Sequence, residues 1–405
     1  MNQRLRALAL LLLIICSSFI PGCWSRKEIE DLAIVTLLGV DKVAGQNNQG
    51  QDVWQVSAKV LQPQPATQSG GGNNGATSTG GGAGVGQALL FKGTGATLQE
   101  ATRDLMIRSP RFIFLGYVSG LIVGEKAARE GVAQIVDLQA RFRQFRLRTY
   151  ILVTPGEAFD VLQAHPEVDD TLAKEIQGLE ENKVDRIGIS CGIDSNQFIQ
   201  TLLSPDRDPV AGEIYVVKPQ EDPTVAVDKA VVIKGLAVFH GDKLVGWLNK
   251  KETFGYIVNC GVNSAMIPIT VIDGDKVATY LIGKVESKIE AKVTGGEINY
   301  RVKVKTWGEV DEVKDIQVTP EALAKIEQMA SATVRSCVLA TIDKSRQLNA
   351  DILGFTQQLH RTELTTWQTL GPTWRDSWRE ADIEVEVDAR VIQSGKTGRE
   401  LMIKK

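Results

Sequence analysis

The chain is poor in the residues that build metal centres and disulfide frameworks. Among 405 residues there are three histidines, His165, His240 and His360. Zinc and most transition-metal sites draw on imidazole or paired thiolates, so a histidine-built centre is not expected, and no metal or cofactor is. Of the five cysteines, Cys16 and Cys23 lie at the N-terminus. The others, Cys191, Cys260 and Cys337, form an odd and sparse set without a CxxC pair. Such a set is no disulfide framework and reads as small buried hydrophobes. Positive charge is not in excess either. The 46 Lys and Arg face 49 Asp and Glu, giving a formal net charge of -3. A generally basic, phosphate-seeking surface is excluded, and with it a nucleic-acid partner. Beyond the N-terminus nothing in the chain has the length and apolar character of a membrane-spanning helix of ~18–20 residues. No repeat of ~20–50 residues emerges.

What is present begins with a targeting signal. Arg4 and Arg6 precede an uncharged run over residues 7–20, and Pro21-Gly22-Cys23 closes it. The run is too short for a span and fits the apolar region of a secretory signal peptide over residues 1–22. A small residue directly before a cysteine at that point suggests a lipoprotein signal. The Cys23 thiol would carry diacylglycerol and the chain would be cut after Gly22. An ordinary cleaved signal with a chance cysteine is the competing reading. Each buried CH₂ contributes ~0.8 kcal/mol, so two or more acyl chains hold a protein stably to a bilayer.

The rest reads as multi-domain α+β, because strands and helices mix without regular βα alternation. Strands are expected over 33–42 and 53–61, followed by a Gly, Ser, Asn and Gln-rich loop over 62–87. Thr97 and Glu100 form a capping-box pattern that opens a helix over 97–109, which Pro110 ends. Helices are expected over 125–140, 156–164, 171–183 and 194–203, and strands over 146–154 and 213–217. The PQEDP stretch at 219–223 reads as the linker between an N-terminal region, 23–218, and a C-terminal domain, 224–405. That domain opens with a hairpin turning at Gly241-Asp242. Two amphipathic strands follow over 283–293 and 298–306. Thr319-Pro320 opens a long helix to about residue 347. A helix over 351–361, a stretch holding Trp367, Trp374 and Trp378, and a strand over 383–392 complete the chain.

Catalytic patterns are weak. Gly188 to Gly192 match G-x-S-x-G around Ser190, but a nucleophile elbow needs a buried strand before it, and EENKVDRI is highly charged. The glycines at 70, 72 and 75 match G-x-G-x-x-G only inside low-complexity sequence. The acid pairs Glu180-Glu181 and Asp169-Asp170 read as solvated faces, without the burial that separates catalytic pKa values. Arg141, Arg143, Arg146 and Arg148 form the one basic cluster. It is read as a strand with its basic side exposed, with anionic headgroups or an acidic partner loop as the functional alternative.

Three ordered blocks carry a resemblance. They are GCWSRKEI with EDLAIVTLLGVDK from Gly22, KGLAVFHGDKLVGWLNKKETFGY over 234–256, and ADILGFTQQLHRTELTTWQTLGPTWRDSWREADIEVEV over 350–387. Together the sequence resembles the Ger(x)C, or GerAC-type, spore germination lipoproteins along almost the whole mature chain. The resemblance implies a three-domain α+β body without known catalytic activity. It implies the C subunit of a nutrient germinant receptor, lipid-anchored through Cys23 on the outer face of the spore inner membrane. The implied partners are the polytopic A-type and B-type receptor subunits. A solute-binding lipoprotein that captures the germinant itself is the alternative function.

Overall fold

The computed structural model describes residues 28–45, 51–61, 88–186, 190–261, 267–273, 276–314, 319–370 and 373–393. Cys23 and the 62–87 segment lie outside the described residues.

The chain enters through a single turn, Ile29–Asp31, and passes into β1 (Leu32–Ala44). Antiparallel partners β2 (Asp52–Leu61) and β3 (Leu89–Gly95) build outward on one side. Then α1 (Leu98–Arg108) leads to β4 (Phe112–Phe114), which runs parallel to the start of β1. Thr97 accepts from the Glu100 N–H at 3.1 Å, while the Glu100 carboxylate caps Ala96. The next strand, β5 (Gly120–Gly124), leads through α2 (Glu125–Glu130) and α3 (Ala133–Arg141) to β6 (Tyr150–Thr154). Helices α4 (Ala158–Leu162), α5 (Leu172–Arg186) and α6 (Ser195–Leu202) precede β7 (Val210–Val217). The first sheet ends with β8 (Ala230–His240) and β9 (Lys243–Leu248).

Its strand order is β3-β2-β1-β5-β6-β7-β8-β9, with β4 beside β1. Strands β1, β5, β6 and β7 run parallel at its centre. The sequences of β5 (GLIVG) and β6 (YILVT) are continuous apolar runs because both faces are covered. One face packs Leu98, Leu105, Ala128, Ile135 and Phe198. The other packs Val161, Leu162, Leu172 and Ile176.

The second sheet is β10-β11-β12-β13. Helix α7 (Lys250–Cys260) precedes β10 (Ile267–Asp273), β11 (Lys276–Thr294) and β12 (Glu297–Lys314). Helix α8 (Pro320–Gln347) follows, capped by Thr319, whose hydroxyl accepts the Ala322 N–H at 3.2 Å. Three short helices, α9 (Phe355–Thr362), α10 (Leu364–Leu370) and α11 (Trp374–Glu380), return the chain to β13 (Asp382–Gln393). That strand pairs parallel to β12. Trp378 is buried and stacks on Phe355 with 6.0 Å between ring centroids. The two halves share one core, in which Val210, Leu236 and Leu248 meet Tyr280, Val302 and Val338.

The α+β multi-domain class holds, and four local expectations change. The helix expected over 125–140 breaks at Gly131, whose φ of 142° lies where side chains are disfavoured. There the Val132 N–H leaves the helix and donates to the Asp242 carbonyl at 2.8 Å. The strand expected from 146 begins only at Tyr150, because Thr149 Oγ1 closes a turn onto the Arg146 carbonyl at 2.7 Å. The helix expected from 351 begins at Phe355, after Gly354 with φ 82°. Finally, 219–223 is the turn between β7 and β8, which pair from Val217↔Ala230 to Val210↔Val238. The hydrogen-bonded sheet therefore runs across the position expected as a domain boundary.

Helices α7 and α8 cross at Gly255, where an added Cβ would overlap the Cys337 carbonyl and Thr341 Oγ1. Gly255→Val is expected to lower stability by about 1–3 kcal/mol through overpacking. An unchanged thermal midpoint would contradict this crossing.

Candidate functional site

The densest buried polar constellation lies where the two halves meet. It is built by the loop between α6 and β7 and the connection between α8 and α9. Prolines 205 and 209 flank Asp206, Arg207 and Asp208. The Arg207 guanidinium donates through Nε and Nη2 to the Ile352 carbonyl at 3.2 and 3.1 Å. Asp208 is 1% exposed. Its Oδ2 accepts the Asp351 N–H and its Oδ1 the Gly241 N–H, both at 2.9 Å. Its own N–H donates to the Asp351 carbonyl at 3.0 Å. Asp206 Oδ2 lies 2.6 Å from His360 Nδ1, and the His360 ring stacks on Trp367 at 4.6 Å.

Asp351 is fully buried at the centre. Its carboxylate accepts N–H groups from Gly354, Phe355 and Thr356 at 2.8, 3.1 and 2.7 Å. These are donors at the start of α9, which lack partners inside the helix. Burial pushes the Asp351 carboxyl up, and the three N–H groups pull it part of the way back. The constellation is a clasp: the side chains of Arg207 and Asp208 satisfy backbone groups of the connection around Asp351, whose carboxylate in turn holds the start of α9.

The other candidates are separate from it. Ser190 is 0% exposed and its hydroxyl donates to Glu180 Oε2 at 2.8 Å. Glu180 is itself buried, so the solvated face expected for it is corrected. Helix α5 turns this position onto the sheet, and the serine supplies its partner. A hydroxyl closed off in this way has no path to a substrate. Asp169 and Asp170 instead pair with Lys174 at 3.3 and 3.6 Å at the surface. The basic cluster is a loop rather than a strand. Arg141 pairs with Asp137 at 2.7 Å, and the Arg146 guanidinium lies 5.5 Å from the Tyr117 ring centroid. Cys337 is buried, Cys191 is half-buried and Cys260 is exposed, so burial fails as a common reading of the three thiols. Of the tryptophans, Trp378 packs in the core and Trp367 is half-buried.

Two buried ionic groups were not anticipated. Lys59, in β2, is 7% exposed, and its Nζ donates to the Leu162 and Ala164 carbonyls at 2.9 and 2.6 Å. Burial brings its pKa down to about 8. It lines a cavity of about 630 Å³ together with Thr36, Leu61, Leu90, His165 and Leu172. Asp41, at the C-terminal part of β1, accepts the Ala158 and Phe159 N–H groups at 2.6 and 3.0 Å. Open α/β sheets commonly hold ligands outside the C-terminal ends of their strands. Here the chain's own carboxylate takes up these helix donors. A charged residue inside an apolar strand, as in AKVL or GVDK, is the sequence signal for both.

With the geometry in place, comparison with known proteins identifies the family. Residues 25–216 match the spore germination protein N-terminal domain, and residues 234–395 match the spore germination B3/GerAC-like C-terminal domain. The chain belongs to the GerAC family of spore germination proteins. Among relatives from Bacillus subtilis, spore germination protein KC is 24% identical, with 96% of each chain covered. Spore germination protein YndF is 26% identical, with 95% of each covered. The crystal structure of the GerBC protein superposes with a TM-score of 0.51 at 17% identity. It covers 88% of this chain and 98% of that one, and so shows a shared fold. In this GerAC-family chain the clasp joins residues of both matched domains.

Two outcomes follow. Asp351→Ala should lower stability by about 3–5 kcal/mol, because several buried N–H groups lose their acceptor. The thermal midpoint should fall accordingly; an unchanged midpoint would refute the role of this carboxylate at the junction. Asp41 gives a pH signature. Burial raises its pKa from 3.8 to about 6, more than its two backbone hydrogen bonds lower it. Between about pH 4 and 6 the folded chain keeps a proton that the unfolded chain has released, so this group's contribution falls as pH rises. Asp41→Asn should remove that decline, by roughly 2–3 kcal/mol across the window, in urea titrations compared with the parent.

Proposed function

We propose that this GerAC-family protein is the C subunit of a nutrient germinant receptor, acting through protein–protein contact in nutrient-triggered germination. The observation that carries the reading is the match of both germination domains along the chain, beginning two residues after Cys23. The Cys23 thiol is read as the site of lipid attachment. The lipid then holds the body on the outer face of the spore inner membrane beside the polytopic A-type and B-type subunits. Confinement to a membrane raises the effective concentration of partners without any new contact. The buried hydroxyl of Ser190 and the clasp, whose polar groups are directed inward, support a binding role rather than a catalytic one.

Cys23→Ala should abolish incorporation of labelled palmitate and shift the protein from the membrane to the soluble fraction. Normal labelling of the variant would overturn the anchor. Pull-down by the tagged wild-type protein should recover the A-type and B-type subunits. The cavity beside Lys59 favours one second reading, direct capture of a small germinant. Calorimetric binding of amino acids, sugars or nucleosides that disappears in Lys59→Met would establish it.

A further inference from the structure

The parallel strands β1, β4, β5 and β6 all begin at one edge of the first sheet. The loops that feed them meet there. Gln144 Oε1 accepts the Leu115 N–H at 3.2 Å, and Thr149 Oγ1 donates to the Val118 carbonyl at 2.8 Å. Arg146 lies over Tyr117, fixing the arginine loop against the β4–β5 loop. Three large apolar or aromatic side chains stay in solvent along this edge: Phe112 at 44%, Tyr117 at 59% and Leu147 at 42% exposure. Arg143, Arg146 and Arg148 are exposed among them and make no ion pair among the described residues. Arg141 and Arg108, just outside, are each neutralised by an aspartate on their own helix.

The start of the folded body lies at the same edge, since Leu32 pairs with Phe112. Four residues lie between Cys23 and Glu28, so five Cα steps span at most ~18 Å. We propose that this edge is a membrane-apposed face, with the three arginines on anionic lipid headgroups and Phe112, Tyr117 and Leu147 entering the interfacial layer. The proposal rests on lipid attachment at Cys23. It adds an orientation: the first sheet stands with its strand starts on the bilayer, and the opposite strand ends face away.

Arginine mixed with exposed aromatic and aliphatic side chains suits an interface that offers headgroup charge above a hydrocarbon boundary. The tether keeps that interface within reach, so weak contacts act at high effective concentration. The acids of the face are Glu28, Glu30 and Asp31 in the first turn, and Glu181 and Asp194 around Tyr150. They assign the headgroup contact to the arginine loop rather than to the whole edge. An acidic protein loop could pair with the same arginines, but it has no need of three exposed apolar neighbours placed beside a lipid anchor.

The test uses the full lipidated chain on vesicles of phosphatidylcholine alone, or of phosphatidylcholine with phosphatidylglycerol. Amide exchange is read over residues 107–118 and 142–149, and flotation is followed in parallel. The expected result is exchange at least ~3-fold slower on the anionic vesicles only. High salt, which shortens the Debye length to a few Å, should reverse it. The triple variant Arg143→Glu, Arg146→Glu, Arg148→Glu should lose the protection while floating normally and keeping its melting temperature. Flotation with identical exchange on both vesicle types would overturn the membrane face and leave the anchor standing. Failure to float would overturn the anchor and this inference with it. Protection that appears only with the receptor's membrane subunits present would assign the arginines to a protein partner and reject the lipid.

Discussion

A single buried carboxylate, Asp351, organises the junction on which the rest of this protein depends. It gathers the first N–H groups of α9, while its own backbone is bonded in both directions to Asp208. A charge so completely enclosed is tolerable only because its acceptors are filled. The same condition makes the geometry exacting. Moving α9 and the connection before it away from the first sheet would strand the Asp208 carboxylate and the Arg207 guanidinium together. Electrostatics thereby couples two sheets that already share an apolar core.

That coupling bears on how a receptor subunit of this family can work. A body locked internally by the clasp, and held at one end by the lipid proposed for Cys23, would transmit position as a rigid piece. The two matched domains are not independent beads, because β8 and β9 complete the sheet begun by β1 to β7. The opposite solution governs the second sheet's wet face. There Glu290 pairs across strands with Lys303 and along its own strand with Lys288, and Arg301 pairs across strands with Glu384, all in solvent. Such pairs contribute little to stability individually and keep a long sheet soluble.

The legible parts of the fold were those written in local chemistry. Thr97, Thr319 and the Gly241-Asp242 turn announced their elements because caps and turns involve only near neighbours in sequence. The alternation of β11 and β12 announced a half-wet sheet for the same reason. What escaped depended on distant partners. Gly131 breaks a helix for the sake of Asp242, and Glu180 is buried because Ser190 meets it. The SPDRDP loop becomes a clasp only when the residues around Asp351 reach it.

The amino-acid order alone therefore determined most elements, the mixed fold class and the family. Each is a matter of composition, short-range hydrogen bonding or ordered blocks along the chain. Only the folded molecule decided that the central strands are parallel and that the sheet crosses the linker. It alone placed the arginine loop beside the strand that leads back to Cys23. Those facts join residues far apart in sequence, and no periodicity along a chain encodes which distant segment will satisfy a buried charge.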